Sequence, residues 1–205
     1  MLKLVFFSSF LILNSCQKDD SSISSSISNQ NSDVYLNNLV EKSLLLTLHY
    51  AKHLESLSKS EQQSNGIRLS NLFSQTNLTG DQYSEVSKLM GFTDKKAFVK
   101  EMAELQSIKV DFFNKNPKYQ TKTYQDELVK AINSSIAFKN LKLSNLRGGN
   151  CQGIYNASVT LVALAGIVAV AACGPAAPFC AYGATIVAGA AMELARQELI
   201  GCNQP

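Results

Sequence analysis

The stretch CQGIYNASVTLVALAGIVAVAACGPAAPFCAYGATIVAGAAMELARQELIGC, residues 151–202, decides how this chain folds. It holds four of the five cysteines, at positions 151, 173, 180 and 202, separated by 21, 6 and 21 residues. That spacing is a palindrome. In an antiparallel helical hairpin, facing residues have numbers that add to a constant. Cys151 with Cys202 and Cys173 with Cys180 share the value 353. Of the three connectivities open to four cysteines, this geometry selects Cys151–Cys202 at the open end and Cys173–Cys180 at the turn. In an oxidising compartment each bridge stabilises by roughly 2–4 kcal/mol, mainly by constraining the unfolded chain.

Both arms read as helix. Ile154 to Ala172 carries no charge over 19 residues, about 29 Å of helix, which is transmembrane length. Gly174-Pro175-Ala176-Ala177-Pro178 is a turn, since Gly can end one helix and Pro can start the next. The same constant places Ser158, Val162, Ala165, Ala169 and Ala172 opposite Ala195, Ala191, Ala188, Ala184 and Ala181. Such small residues let two helices approach closely. The hairpin is polarised, with Pro175, Pro178, Phe179 and Tyr182 at an apolar tip and Tyr155, Asn156, Glu193, Arg196 and Glu198 at the base. Ile154, Leu161, Leu164, Ile167, Val168, Ile186 and Val187 remain outside the seam. They must meet the rest of the chain, another subunit or lipid.

At the other end, Met1-Leu2-Lys3 and the apolar run Leu4 to Leu13 read as a signal peptide over 1–15, too short to span a bilayer. Leu13-Asn14-Ser15-Cys16 resembles a bacterial lipobox, with Asn14 an uncommon residue within it. The resemblance implies a diacylated Cys16 as the first mature residue. Gln17-Lys18-Asp19-Asp20 resembles the export signal of Bacteroidetes lipoproteins, which implies the outer face of the outer membrane. A lipid on Cys16 also leaves an even number of cysteines to pair. Ser21 to Ser32 is mostly Ser, with too little apolar surface to offset chain entropy. Residues 16–32 form a lipidated tether with a reach of about 55 Å.

Between these ends, residues 33–147 read as a helical domain of four or five helices. Asp33 caps the first, with Leu36, Val40, Leu44, Leu48, Ala51 and Leu54 on its inner stripe. Gly66 breaks the pattern, leaving a short helix over Ile67 to Phe73. Thr79 or Asp81 opens a helix that ends at Gly91, with Tyr83, Val86 and Leu89 inward. Thr93 caps the next, where Phe98, Met102, Leu105, Ile108 and Phe112 form the stripe and Asn116-Pro117 is the stop. Tyr124 to Phe138 is the last, with Leu128, Ile132 and Ile136 on one face. The fold class is all-α, a helical bundle followed by an antiparallel disulfide-stapled hairpin over 148–205.

Chemistry is sparse. A net charge of +3 with scattered basic residues gives no nucleic-acid surface. His49 and His53 share a helix face, but Tyr50 stands where a zinc-protease motif needs Glu, and there is no third His. Glu101 with Glu104 and Asp126 with Glu127 lie among lysines, as solvated faces do, rather than across a cleft. No enzyme, cofactor or metal is expected.

Gly148-Gly149 admits two readings. With Phe138, Leu143 and Leu146 at twelve, seven and four residues before the cut, it resembles the double-glycine leader of peptide bacteriocins. That implies release of Asn150 to Pro205. It also reads as a hinge between bundle and hairpin, and the general secretory route implied by the signal peptide favours the hinge. The hairpin resembles that of pore-forming colicins in physical type, and the whole architecture resembles Bacteroidetes proteins labelled as bacteriocin-related. The expectation is a surface-anchored, non-enzymatic outer-membrane lipoprotein with a bacteriocin-like or membrane-active hairpin. The alternative is a structural or binding lipoprotein whose hairpin packs on the helical domain or a partner. Expected partners are the membrane, through the lipid and the hairpin, and a protein or a second copy.

Overall fold

A computed structural model describes residues 33–73, 75, 78–144, 150–174 and 178–202. Residues Asn31–Pro205 form one compact unit. The signal peptide, Cys16, Gln17, Lys18, Asp19, Asp20 and the Gly148-Gly149 junction lie outside the described residues. Among those described there are eight α-helices and no strand. They are α1 (Val34–Glu55), α2 (Lys59–Phe73), α3 (Gly80–Leu89), α4 (Lys95–Lys115), α5 (Gln125–Ser134), α6 (Ile136–Ser144), α7 (Asn150–Ala172) and α8 (Pro178–Cys202). Six α-helices, rather than four or five, precede the hairpin.

Local chemistry explains most boundaries. The Asp33 carboxylate accepts from the amides of Tyr35 and Leu36 and starts α1. Thr79 and Gln82 form a reciprocal capping box on α3. Gly91 closes that helix region at φ 79°, a conformation costly for any residue with a Cβ. Asp94, not Thr93, caps α4, accepting from the amide of Ala97 at 2.8 Å. The Asn116 amide bonds Phe112 O as Pro117 ends α4.

Two helices depart from expectation. Helix α2 runs through Gly66. The Glu61 carboxylate accepts from the Ser58 amide at 2.8 Å and from its hydroxyl, supporting the start, and Leu69 and Leu72 are buried. These offset the roughly 1 kcal/mol that a mid-helix glycine costs. The last bundle helix is two helices, because Ser135 is extended at ψ 149°. Beyond that break, Asn37 of α1 accepts from the amides of Ile136 and Ala137 at 3.0 and 3.3 Å. Ile136 is consequently exposed, not on the inner face. Leu48 is also exposed, because the core stripe of α1 passes through Thr47 and Tyr50 instead.

Helix α1 runs through the middle of the unit. Helix α4 lies antiparallel to it. Asn116 donates to Asp33 at one end (3.0 Å) and Lys42 bonds Glu101 and Glu104 further along, each at 2.6 Å. The hairpin helix α8 lies parallel to α1, with Gly189 over Thr47 and Arg196 beside Glu55. One cluster of buried residues unites Leu39, Val40 and Tyr50 of α1, Phe98 and Phe112 of α4, Leu128 and Ile132 of α5, and Val159, Ile167, Val170 and Tyr182 of the hairpin. The division at 147/148 is therefore one of composition, and the two parts share a core.

Candidate functional site: the docked hairpin

The hairpin is closed at both ends. Cys151 is bonded to Cys202 and Cys173 to Cys180, with Cα atoms 6.0 and 5.7 Å apart. The seam is as close as the small residues allow. A Cβ placed on Gly166 would stand 2.6 Å from the Ala188 Cβ. Gly166, rather than Ala165, is therefore the residue seated against Ala188, and Ala165 and Ala172 are exposed. The facing rule is right at the bridges and one residue out in mid-helix, because residues rotate by about 100° per step around a helix and no integer rule keeps one on the seam.

The seat on α1 is made by another glycine. A Cβ on Gly189 would lie 2.9 Å from Tyr50 Cδ1, 3.0 Å from Thr47 O and 3.2 Å from Ala51 N. The backbones of α8 and α1 meet where only hydrogen fits. Seven residues earlier, on the same face of α8, lies Tyr182. It is fully buried, with its ring edge-on to Phe98 at 5.5 Å. Its hydroxyl is buried and has no hydrogen-bond partner among the described residues. The expected role of Tyr182 as an outward membrane tip is corrected, since two helical turns from Gly189 it must face α1 and α4. Phe179 lies in the first turn of α8, and its side chain is outside the described set.

At the base, Glu193 is only 2% exposed and holds a polar knot. Arg196 donates to both of its carboxylate oxygens, at 2.6 and 2.7 Å, and Gln197 donates at 3.0 Å. Gln197 also donates to Gln62 of α2, whose own amide donates to Leu54 O and Leu57 O. Arg196 lies 3.6 Å from Glu55. Burial pushes the Glu193 carboxyl up, but the hydrogen bonds from Arg196 and Gln197 outweigh it and hold it below the usual carboxylate value. The knot fastens the base of the hairpin to the α1–α2 corner. Its spacing was visible as a charge cluster, but its burial depends on Gln62, about 130 residues away in sequence.

The remaining candidates sit on α1, α4 and α5. Helix α1 turns His49 onto the Phe92 ring, 4.5 Å between centroids, and His53 against Gly91. Burial, then the nearby His49 charge, holds the His53 imidazole below its ordinary value. Among the described residues no group of three or more His, Cys, Asp or Glu is placed to hold a metal. Glu101 and Glu104 clamp Lys42. Burial pulls the ammonium down, but the two carboxylates outweigh it and raise it. Asp126 is exposed, and Glu127 pairs with Lys118 at 2.8 Å. A shallow groove of about 540 Å³ between α3 and α4 is lined by Tyr83, Lys95, Val99, Met102 and Gln106. None of the sequence-derived site residues lies in it.

Compared with protein-family models, with curated proteins and with solved structures, the chain matches none.

Proposed function

We propose that this chain is a lipid-anchored outer-membrane surface protein that works by binding, with the hairpin serving as a packed part of its helical domain. The observation that carries the reading is the seat of α8 on α1. Gly189 admits the α1 backbone, Tyr182 is buried on Phe98, and the Glu193 knot ties the base to α2. A hairpin made to act apart from the bundle has no use for contacts fitted to it at both ends. The anchor rests on the lipobox resemblance at Cys16 and on Gln17-Lys18-Asp19-Asp20. Intact mass of the cell-bound protein tests the anchor and the junction together. The expected mass carries diacylglycerol on a chain starting at Cys16 and extending to Pro205, with two disulfides. A mass without lipid overturns the anchor.

A second reading is favoured by one observation. Tyr155–Ala172 of α7 is long and apolar enough to cross a membrane. In it the hairpin is a bacteriocin-like module released by a cut after Gly149. The same measurement decides it, since that reading requires a free species of residues 150–205.

A further inference from the structure

We infer that the outward face of the docked hairpin is a bilayer-contacting surface. With α8 seated on α1, Ala157, Leu161, Ala165 and Ala172 of α7 and Val187 and Leu194 of α8 are exposed. Leu161 is 67% and Leu194 60% exposed. From Gly148 to Met192 the sequence contains no Asp, Glu, Lys or Arg. Every other helix puts charge at its exposed positions. Examples are Glu41 and Lys52 on α1, Lys59 and Arg68 on α2, Lys88 on α3, Lys96 and Lys100 on α4, Asp126 on α5 and Lys139 on α6.

A water-facing helical position accepts Lys or Glu at no cost, so packing on α1 does not explain why these positions exclude charge. Contact with lipid does, because charge is strongly disfavoured in hydrocarbon. From Ala157 to Ala172 the stripe is about 22 Å long. Charge reappears in α8 only at the base, with Arg196 and the exposed Glu198, where the surface would return to headgroup depth. A protein partner fits less well. Interface centres are rich in Tyr, Trp and Arg, and the six exposed residues include none. The surface thus engages lipid along the side of the hairpin while its tip residue Tyr182 stays buried. It does so without undocking and independently of acylation at Cys16.

The test uses residues 31–205, which form a compact unit by themselves and lack both signal and lipid. Flotation with phosphatidylethanolamine–phosphatidylglycerol vesicles is the readout. The expected result is co-flotation that falls at least about tenfold in Leu161→Lys and in Val187→Lys, both within the charge-free stretch. It is unchanged in Leu45→Lys, a control at an exposed leucine of α1. Circular dichroism and sedimentation accompany each variant. Absence of co-flotation for the unsubstituted unit overturns the inference, as does equal loss in the Leu45→Lys control. A dimer in sedimentation that Leu161→Lys dissociates also overturns it, and assigns the face to a second copy. Because the lipid is absent, failure here and failure of the anchor at Cys16 are read separately.

Discussion

Two glycines of α8, six residues apart, are predicted to respond to one methyl group with opposite signs. Around Gly183 a Cβ meets nothing within 4 Å, whereas at Gly189 it meets Tyr50 and the backbone of α1 at 2.9–3.2 Å. Gly183→Ala should therefore stabilise by up to about 1 kcal/mol, through helix propensity and a less disordered unfolded chain. Gly189→Ala gains the same propensity but must push α8 off the α1 backbone, and overpacking of that kind costs about 1–3 kcal/mol. Urea unfolding followed by circular dichroism measures both. Equal shifts would mean that α8 can slide on α1. This distinction is invisible in the sequence, where both are Gly among Ala, because it depends on which side of α8 meets another helix.

For the elements, the two bridges are the natural comparison. In the chain-entropy account, Cys151–Cys202, with a sequence separation of 51, stabilises by about 4 kcal/mol. Cys173–Cys180, with a separation of 7, stabilises by about 2.5 kcal/mol. The double variant Cys151→Ala/Cys202→Ala is thus expected to lose more in thermal unfolding than Cys173→Ala/Cys180→Ala. The reverse order would show that native contacts at the turn outweigh loop closure. The pairing was legible because cysteine spacing and a small-residue seam are both properties of one contiguous segment. The helix boundaries were less so. The α5–α6 break is masked by Leu128, Ile132 and Ile136, whose spacing of four continues straight across it. What breaks the helix is the extended Ser135 together with an Asn37 side chain brought from α1. The Gly66 error has a different origin, a local penalty read without the cap and the buried leucines that offset it.

At the scale of the whole molecule, the decisive fact is where the hairpin sits. Its sequence alone permits three environments, and only the packing of Tyr182 on Phe98 and Gly189 on Thr47 selects the bundle. No local pattern encodes that choice, since the partners lie some 84 and 142 residues away. The Glu193 knot makes the docking pH-dependent. Its carboxyl is held below the ordinary value near 4.5. The folded state therefore binds fewer protons than the unfolded one just below that value. Its contribution is complete above pH 4.5 and is lost as pH falls through the folded-state value. Glu193→Gln should flatten that part of the acid unfolding curve while leaving the curve above pH 5 parallel. An unchanged acid limb would remove Glu193 as the group responsible.

The bridge at the open end also has a mechanical meaning. A chain held at its N-terminus and pulled from its C-terminus transmits the load along its backbone. In this chain the load reaches Cys151 and crosses the sulfur–sulfur bond directly to Cys202. The segment between them stays slack under tension. About 170 Å of contour length, the whole hairpin, is thereby withheld from any stretch. The bundle could be drawn out entirely while the hairpin ring remained closed.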